Sequence, residues 1–452
     1  MNIVIIGAGK VGYALSASLS KDNHNVTVVD LNNALLQKVV DNQDVFTVCG
    51  NGAVFSVQQE AGVSNADLLI AATSFDEVNV IACLVARKLG AKYTIARIRD
   101  PEYNDQLFIL EDELGVSMSI NPELAAARQI ARIVSLPSAT SVSSLVGDRV
   151  IIAERLVTEG DPLEGAKVLT VHKQYGERVL LCAVERQGKA YIPNGSFQMQ
   201  AGDKIFLCGD SKKLSAFFRD IGIVNKKVKR VMLVGGGRIA FYLSRILLNL
   251  NMEVKIIERN SARCHELCRQ LPQAMIIQGD GTEQTLLDEE GIAETDVFVA
   301  LTDIDEENII VSMYANQCGV PKIVSKINRL NYREILRKAG LESIVSPKLI
   351  TAERILQYVR ALQNAEKSAI KTLYRLIDDQ LEVSEFTATE ETLHLGEKIM
   401  DLPLRENMLI TAIVRNNHLI IPRGSDHLEK GDSVVVIAEG SKFDNLNDIF
   451  AE

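Results

Sequence analysis

The chain of 452 residues has no tryptophan, is only 5% aromatic and contains no long hydrophobic run. Apolar stretches such as Leu68–Ala72 and Val434–Ala438 stop far short of the roughly 20 residues a helix needs to cross a bilayer, so membrane insertion is excluded. Basic clusters are missing as well. With 49 Lys and Arg against 59 Asp and Glu the net charge is −10, and nucleic-acid binding, which needs clustered cations on phosphates, finds no support. Met1–Ile6 enters an apolar strand at once, with no basic stretch before an apolar core. No signal peptide is therefore expected, and the chain reads as cytoplasmic.

Catalytic and disulfide signatures are absent too. The seven cysteines are odd in number and scattered, which predicts reduced, mostly buried thiols. Neither a Gly-x-Ser-x-Gly elbow nor a His-Glu-x-x-His helix occurs. None of the six histidines, His24, His172, His265, His394, His418 and His427, is expected in a loop at a ligand-binding sheet edge, so hydride-transfer chemistry lacks an acid/base group. Cys264, His265 and Cys268 lack a fourth metal ligand in sequence and are read as packing residues.

What the sequence does contain is a long internal repeat. Ile3–Gly12 aligns with Val231–Ala240, Asp30 with Glu258, Cys49–Gly52 with Gln278–Gly281 and Ala72–Asn79 with Leu301–Asn308, at an offset of 228 or 229 residues. Arg97 then matches Lys326, and Asn121-Pro122-Glu123 matches Ser346-Pro347-Lys348. Ile192-Pro-Asn-Gly195 with Gly202-Asp203 matches Ile421-Pro-Arg-Gly424 with Gly431-Asp432, the Gly-Asp pairs reading as turns before a last strand.

Each copy has a larger and a smaller part. The larger part alternates apolar strands, near 2–7, 25–30, 44–48, 67–72, 92–98 and 116–120, with amphipathic helices such as Val11–Ser20 and Val78–Leu89. This pattern predicts a parallel sheet covered on both faces. Pro122 and Pro347 open helical runs where a missing N–H costs little. The stretches 123–135 and 348–365 are expected at a domain–domain interface. The smaller parts carry short β-rich pieces.

The fold class is therefore α/β, with two Rossmann-like doubly wound parallel-sheet domains (1–140 and 225–366), each followed by a small α+β domain (141–224 and 367–452). Acid is concentrated at the end: residues 366–452 hold nine Lys and Arg against seventeen Asp and Glu, a net charge of −8. A solvated, solubilising surface is the expected use.

The glycine loops carry the candidate chemistry. Gly7, Gly9 and Gly12, with Ala8, Lys10 and Val11 between them, follow a strand, open a helix and precede Asp30 at the end of the next strand. Gly7 suits the tight turn, Gly9 lets backbone approach a pyrophosphate and Gly12 lets helix and sheet pack closely. The helix N-terminus offers free N–H groups to phosphate, and Asp30 can accept from a ribose hydroxyl, favouring NAD-type over NADP-type ligands.

The second copy repeats this with Gly235, Gly236, Gly237, Arg238, Ile239, Ala240 and Glu258. Lys10 and Arg238 either neutralise phosphate or point to water from the helix surface. Thr73 and Ser74, with Thr302 and Asp303, fall at the C-terminal end of the fourth strand, where either the Thr and Ser hydroxyls donate to phosphate or ribose or Ser74 and Asp303 cap the next helix. Asn51 and Asp280 follow the third strand on the adenine-ribose side. Arg97 and Lys326 end the fifth strand, where they either contact phosphates, including those of a neighbouring subunit's ligand, or form salt bridges.

The A–B–A′–B′ order, the Gly-x-Gly-x-x-Gly loop with Asp30, the Ala72-Thr-Ser-x-Asp-Glu-x-Asn79 run and the Ile-Pro-x-Gly…Gly-Asp pairs together resemble the TrkA family of Trk potassium-uptake regulatory subunits, built of tandem RCK (KTN) domains. The resemblance covers essentially the whole chain. It implies a cytoplasmic, peripheral regulator at the inner face of the membrane, assembled with further copies as a tetrameric ring beneath a TrkH/TrkG-type potassium channel or transporter. It further implies binding of NAD(H) and of ATP and ADP. On this resemblance the loop glycines with Lys10 or Arg238 hold phosphate and Asp30 and Glu258 hold ribose, while Thr73, Arg97, Thr302 and Lys326 line the cleft. Asn51 against Asp280 and Arg97 against Lys326 suggest that the two sites prefer different ligands. No motif supports cyclic di-AMP binding in the smaller domains. The competing reading is an NAD-dependent oxidoreductase on the same fold.

Overall fold

A computed structural model of the chain describes residues 1–104, 115–147, 149–223, 227–329, 336, 339–341, 343–365, 370–377, 380–440, 443 and 445–451. The domain junctions expected at 224/225 and 366/367 lie outside the described residues.

The first unit runs β1 (Asn2–Ile6), α1 (Lys10–Lys21), β2 (Asn25–Asp30), α2 (Asn33–Val40), β3 (Phe46–Cys49), α3 (Phe55–Glu60), β4 (Leu68–Ala71), α4 (Asp76–Leu89), β5 (Tyr93–Arg97), α5 (Pro101–Asn104), β6 (Met118–Ile120) and α6 (Pro122–Ser135). Its six strands are parallel in the order β3-β2-β1-β4-β5-β6, a doubly wound sheet. Four of the five β1 residues and all of β4 are buried, as a strand covered on both faces requires.

The small unit that follows contains β7 (Ser141–Leu145), β8 (Val150–Leu156), α7 (Val168–Tyr175), β9 (Val179–Arg186), β10 (Lys189–Tyr191), β11 (Lys204–Gly209) and α8 (Ser211–Asp220), with an antiparallel sheet ordered β10-β9-β11-β8-β7.

The second copy repeats the plan with β12 (Arg230–Val234), α9 (Arg238–Asn249), β13 (Glu253–Glu258), α10 (Ser261–Gln270), β14 (Met275–Gln278), α11 (Gln284–Glu289), β15 (Val297–Ala300), α12 (Asp305–Gln317), β16 (Lys322–Lys326), β17 (Ser343–Val345) and α13 (Pro347–Ala365). Its sheet is again parallel, in the order β14-β13-β12-β15-β16-β17. The last unit holds β18 (Ile370–Leu376), β19 (Leu381–Thr387), β20 (Met408–Arg415), β21 (His418–Ile420) and β22 (Ser433–Glu439), paired antiparallel as β18-β19-β22-β20-β21.

The closing helices of the two Rossmann units cross over. Helix α6 packs on α9 of the second copy, where Ala126, Ile130 and Ile133 share a core with Phe241 and Leu243. Helix α13 packs on α1 of the first, joining Ala352, Ile355 and Val359 to Leu15 and Leu19. These are the two helices expected at the domain–domain interface. Polar contacts fix the crossing: Asn121 Nδ2 donates to the Tyr242 hydroxyl (2.9 Å), which donates to the Arg99 carbonyl (3.1 Å), and Arg360 pairs with Asp22 (2.9 Å).

The small sheets also share a core, with Ile152, Cys182, Phe206 and Cys208 facing Val383, Ala412, Val435 and Ile437. All seven cysteines are free: Cys83, Cys182, Cys208 and Cys264 are buried, Cys318 is half-buried, and Cys49 and Cys268 are exposed. The Cys264 thiol donates to the Glu258 carbonyl (3.2 Å), a packing role as expected.

Candidate functional site

The glycines of the two loops act differently. Gly7 and Gly235 have φ of +104° and +100°, and a Cβ on either would sit about 3 Å from the backbone after the fourth strand of its sheet. Gly12 is needed for closeness, since a Cβ there would fall 1.8 Å from the Gly7 carbonyl oxygen. The second copy accommodates the buried Ala240 at the matching position.

Gly9 and Gly237 have open space around them, with no atom within 4 Å of a Cβ. They stand at the N-caps of α1 and α9, which have no side-chain cap and no acidic residue in the first turn. By contrast α2, α6, α8 and α10 are capped by Asn32, Asn121, Asp210 and Asn260. The N-termini of α1 and α9 are thus left with free amides and partial positive charge beside the glycine loops, an arrangement suited to anions. Lys10 and Arg238 begin these helices, and neither pairs with a carboxylate among the described residues.

Asp30 and Glu258 brace the loops. Asp30 accepts from the amides of Ala8 (2.6 Å) and Asn32 (2.8 Å), and Glu258 accepts from those of Gly236 (2.7 Å) and Asn260 (2.7 Å). Each carboxylate oxygen keeps capacity to accept a ribose hydroxyl. Asn51 accepts from the Ala53 amide (3.0 Å), and Asp280 from the Thr282 amide (2.9 Å) and hydroxyl (2.7 Å), so both hold the turn after the third strand. Those Thr282 bonds keep the Asp280 carboxyl below the usual aspartate range.

Sequence reasoning missed the residues that organise the fourth-strand loops. Buried Asn79 accepts from the Thr73 amide (2.9 Å) and hydroxyl (2.7 Å) and donates to the Arg97 carbonyl (2.8 Å). Asn308 likewise ties the Thr302 amide (2.8 Å) to the Lys326 carbonyl (2.9 Å). Their presence in both copies of the Ala72–Asn79 run was the available signal. Ser74 and Asp303 do not cap: α4 and α12 start after Phe75 and Ile304 with no side-chain cap, and the Thr73 and Thr302 hydroxyls accept from the Phe75 and Ile304 amides (3.3 Å each). Asp303 instead pairs with Lys326 (2.9 Å), which holds its carboxyl below the usual range.

Because of the helix crossing, both loops open into one cleft of about 830 Å³ between the Rossmann units. It is lined by Lys10, Val11, Arg97 and Arg99 from the first copy and by Gly237, Arg238, Ile239, Arg263, Lys326 and Lys348 from the second. Among the described residues seven cations face five carboxylates there, which makes this lining net positive. Glu123, the first acid of α6, bonds Arg99 (2.7 Å) and lies 3.8 Å from Arg97. The salt-bridge reading of Arg97 and Lys326 therefore holds, and both also line the cleft. Arg97 Nε and Glu123 Oε2 are buried without a hydrogen-bond partner. Burial, with Lys10 and Lys38 nearby, pulls the Lys348 ammonium below the usual lysine range. Thr73, Ser74, Thr302, Asn51, Asp280, Asp30 and Glu258 stand outside the lining of this shared cleft, at the edges of their own sheets. No histidine lines it, and among the described residues no group of three His, Cys, Asp or Glu side chains is placed to hold a metal ion.

The TrkA-N domain family matches residues 3–122 and 231–347, and the TrkA-C domain family matches 152–222 and 383–451. The chain is 32% identical over 451 residues to the Trk system potassium uptake protein TrkA homolog of Archaeoglobus fulgidus, covering 100% of both. It is also 32% identical over 449 residues to the Trk system potassium uptake protein TrkA of Haemophilus influenzae, covering 98% of this chain and 96% of that one. Among solved structures, the GsuK channel bound to NAD superposes with a TM-score of 0.64 at 20% identity, covering 97% of this chain and 77% of that one. The crystal structure of the GsuK RCK domain gives 0.64 at 20%, covering 97% and 92%. These structures share the fold. The chain belongs to the TrkA family of Trk potassium uptake proteins.

Proposed function

We propose that this member of the TrkA family is a nucleotide-sensing regulatory subunit that binds NAD(H) and the adenine nucleotides ATP and ADP and gates a membrane potassium channel or transporter of the TrkH/TrkG type. One observation carries the reading: two uncapped helix N-termini, begun by Lys10 and Arg238, open into a single cationic cleft. Such a cleft can neutralise the phosphates of nucleotides held on the two glycine loops.

Arriving phosphate competes with Glu123 for Arg97 and Arg99. Glu123 sits in the first turn of α6, which packs on α9 and leads into β7 of the small domain. Helix α1, whose N-terminus receives phosphate, is itself held by α13 of the other copy. A ligand that prefers one arrangement of these crossed helices shifts the equilibrium by its differential affinity, and the membrane partner reads the shift.

The protein is a sensor rather than an enzyme on this reading. It works as a tetrameric ring at the cytoplasmic face of the membrane, with its acidic final domain turned away from the anionic lipid surface. No helix of the described residues is long and apolar enough to cross a membrane, which is consistent with action through a partner. The test is potassium flux through the reconstituted partner while ATP, ADP or NADH is added. A Gly9→Glu, Gly237→Glu double variant is expected to abolish the nucleotide response. An unchanged response would refute the mechanism, and oxidation of NADH with turnover of a substrate would favour the oxidoreductase.

A further inference from the structure

The two sites differ where the base of a bound nucleotide would lie. In the first copy Leu31 follows Asp30 at the end of β2 and is 73% exposed, and Val54, which ends the loop after β3, and Phe55, which opens α3, are 43% and 55% exposed. The strands are neighbours, with Asp30 opposite Cys49. Gly52 turns the β3 loop back over β1, where a Cβ would lie 2.2 Å from Ile6 Cγ2. Leu31 and Val54 therefore flank the ligand-binding edge beside the glycine loop. Single exposed apolar residues are ordinary on a surface, but Leu31 and Val54 at one sheet edge offer apolar surface on the side where a base would lie.

The second copy keeps the backbone and replaces the chemistry. At the matching positions stand Arg259, Glu283 and Gln284, and Leu35 is matched by Arg263. Arg263 lines the cleft and donates from Nε to the Gly236 carbonyl (2.8 Å), which places its guanidinium at the phosphate loop. A charged wall is costly to desolvate against a flat apolar base, whereas among the described lining residues the second copy brings four cations and two carboxylates to the cleft against three of each from the first, which favours phosphate.

Resting on the nucleotide-sensor reading, we infer that the two sites recognise different parts of their ligands. The first copy holds an adenine nucleotide chiefly by its base. The second holds one chiefly by its phosphates and selects the most highly charged, the nucleoside triphosphate.

The test uses the full chain with one loop blocked at a time. Gly9→Glu and Gly237→Glu each put a carboxylate at a helix N-terminus where an added Cβ meets no atom within 4 Å, and circular dichroism verifies that each variant is folded. AMP, ADP, ATP and ribose 5-phosphate are titrated calorimetrically into each variant at low and high salt. With only the second site active, ATP should bind at least about tenfold tighter than AMP and lose most of that advantage in high salt. With only the first active, the ATP to AMP ratio should stay within about threefold, and ribose 5-phosphate, lacking the base, should bind at least about tenfold weaker than AMP. The exchange Leu31→Arg with Val54→Glu should move the first site toward the behaviour of the second. Equal ratios at the two sites would overturn this inference while leaving the sensor reading intact, and failure of the unmodified chain to bind any of the nucleotides would overturn both.

Discussion

The small-domain pair and the Rossmann pair diverged in different ways. In the small domains the same ion pair is kept: Arg186 makes two bonds to buried Asp203 (2.7 Å each) and Arg415 two to buried Asp432 (2.9 and 2.8 Å). Both aspartates also accept a backbone amide, from Gln200 and Glu429 (2.8 Å each), and both arginines reach a carbonyl, of Gln198 and His427. In the Rossmann units the loop scaffold is kept and the cleft chemistry is not. Glu123 is matched by Lys348, Arg99 by Asn328 and Ser74 by Asp303. The two copies share what the fold needs and differ in the side chains that line the cleft.

The sharpest way to break this comparison is to remove the shared ion pair. Asp203→Ala should destabilise by about 3 kcal/mol, because the half-buried Arg186 guanidinium loses its carboxylate, and Asp432→Ala by about 2 kcal/mol, because Arg415 keeps its pair with Glu429. Both variants should lower the urea midpoint, Asp203→Ala the more, and an effect in one copy alone would mean that the small domains do not share this anchor. Gly12→Ala should cost about 2 kcal/mol through its clash with the Gly7 carbonyl, whereas Ala240→Gly should cost about 1 kcal/mol of helix propensity. Thermal unfolding of the two variants separates these causes. Asn79→Ala and Asn308→Ala should each cost about 1–2 kcal/mol by leaving buried backbone groups unpaired, and the two values should agree.

The smallest effect concerns pH. Burial and the facing cations Lys10 and Lys38 depress the Lys348 ammonium, so its charge is lost as pH rises through a value below that of an ordinary lysine. Phosphate favours the charged form. Nucleotide affinity should therefore hold at lower pH and fall by about threefold as alkalinity discharges Lys348, and Lys348→Gln should remove that part of the fall. Titrations at several alkaline pH values measure both.

Much of the site was legible because close packing marks single residues. Gly7, Gly12, Gly235 and their following acids are imposed by local backbone geometry, and the strands by runs of apolar residues buried on both faces. The shared cleft was not legible. It depends on α6 and α13 crossing to the other copy, and contacts such as Asn121 with Tyr242 span 121 residues and leave no local period. Arg99, Glu123 and Lys348 acquire their roles only from that crossing. The Gly202-Asp203 and Gly431-Asp432 pairs were read as turns. Their aspartates also anchor arginines 17 residues earlier, a partnership that the repeat displayed but the turn reading hid.

The most direct test is calorimetric titration of ATP and NADH into the Gly9→Glu, Gly237→Glu double variant beside the unmodified chain, with circular dichroism verifying that both are folded. Nucleotide sensing through the two helix N-termini predicts binding by the unmodified chain and none by the folded double variant. Undiminished binding by that variant would place the nucleotide elsewhere and contradict it.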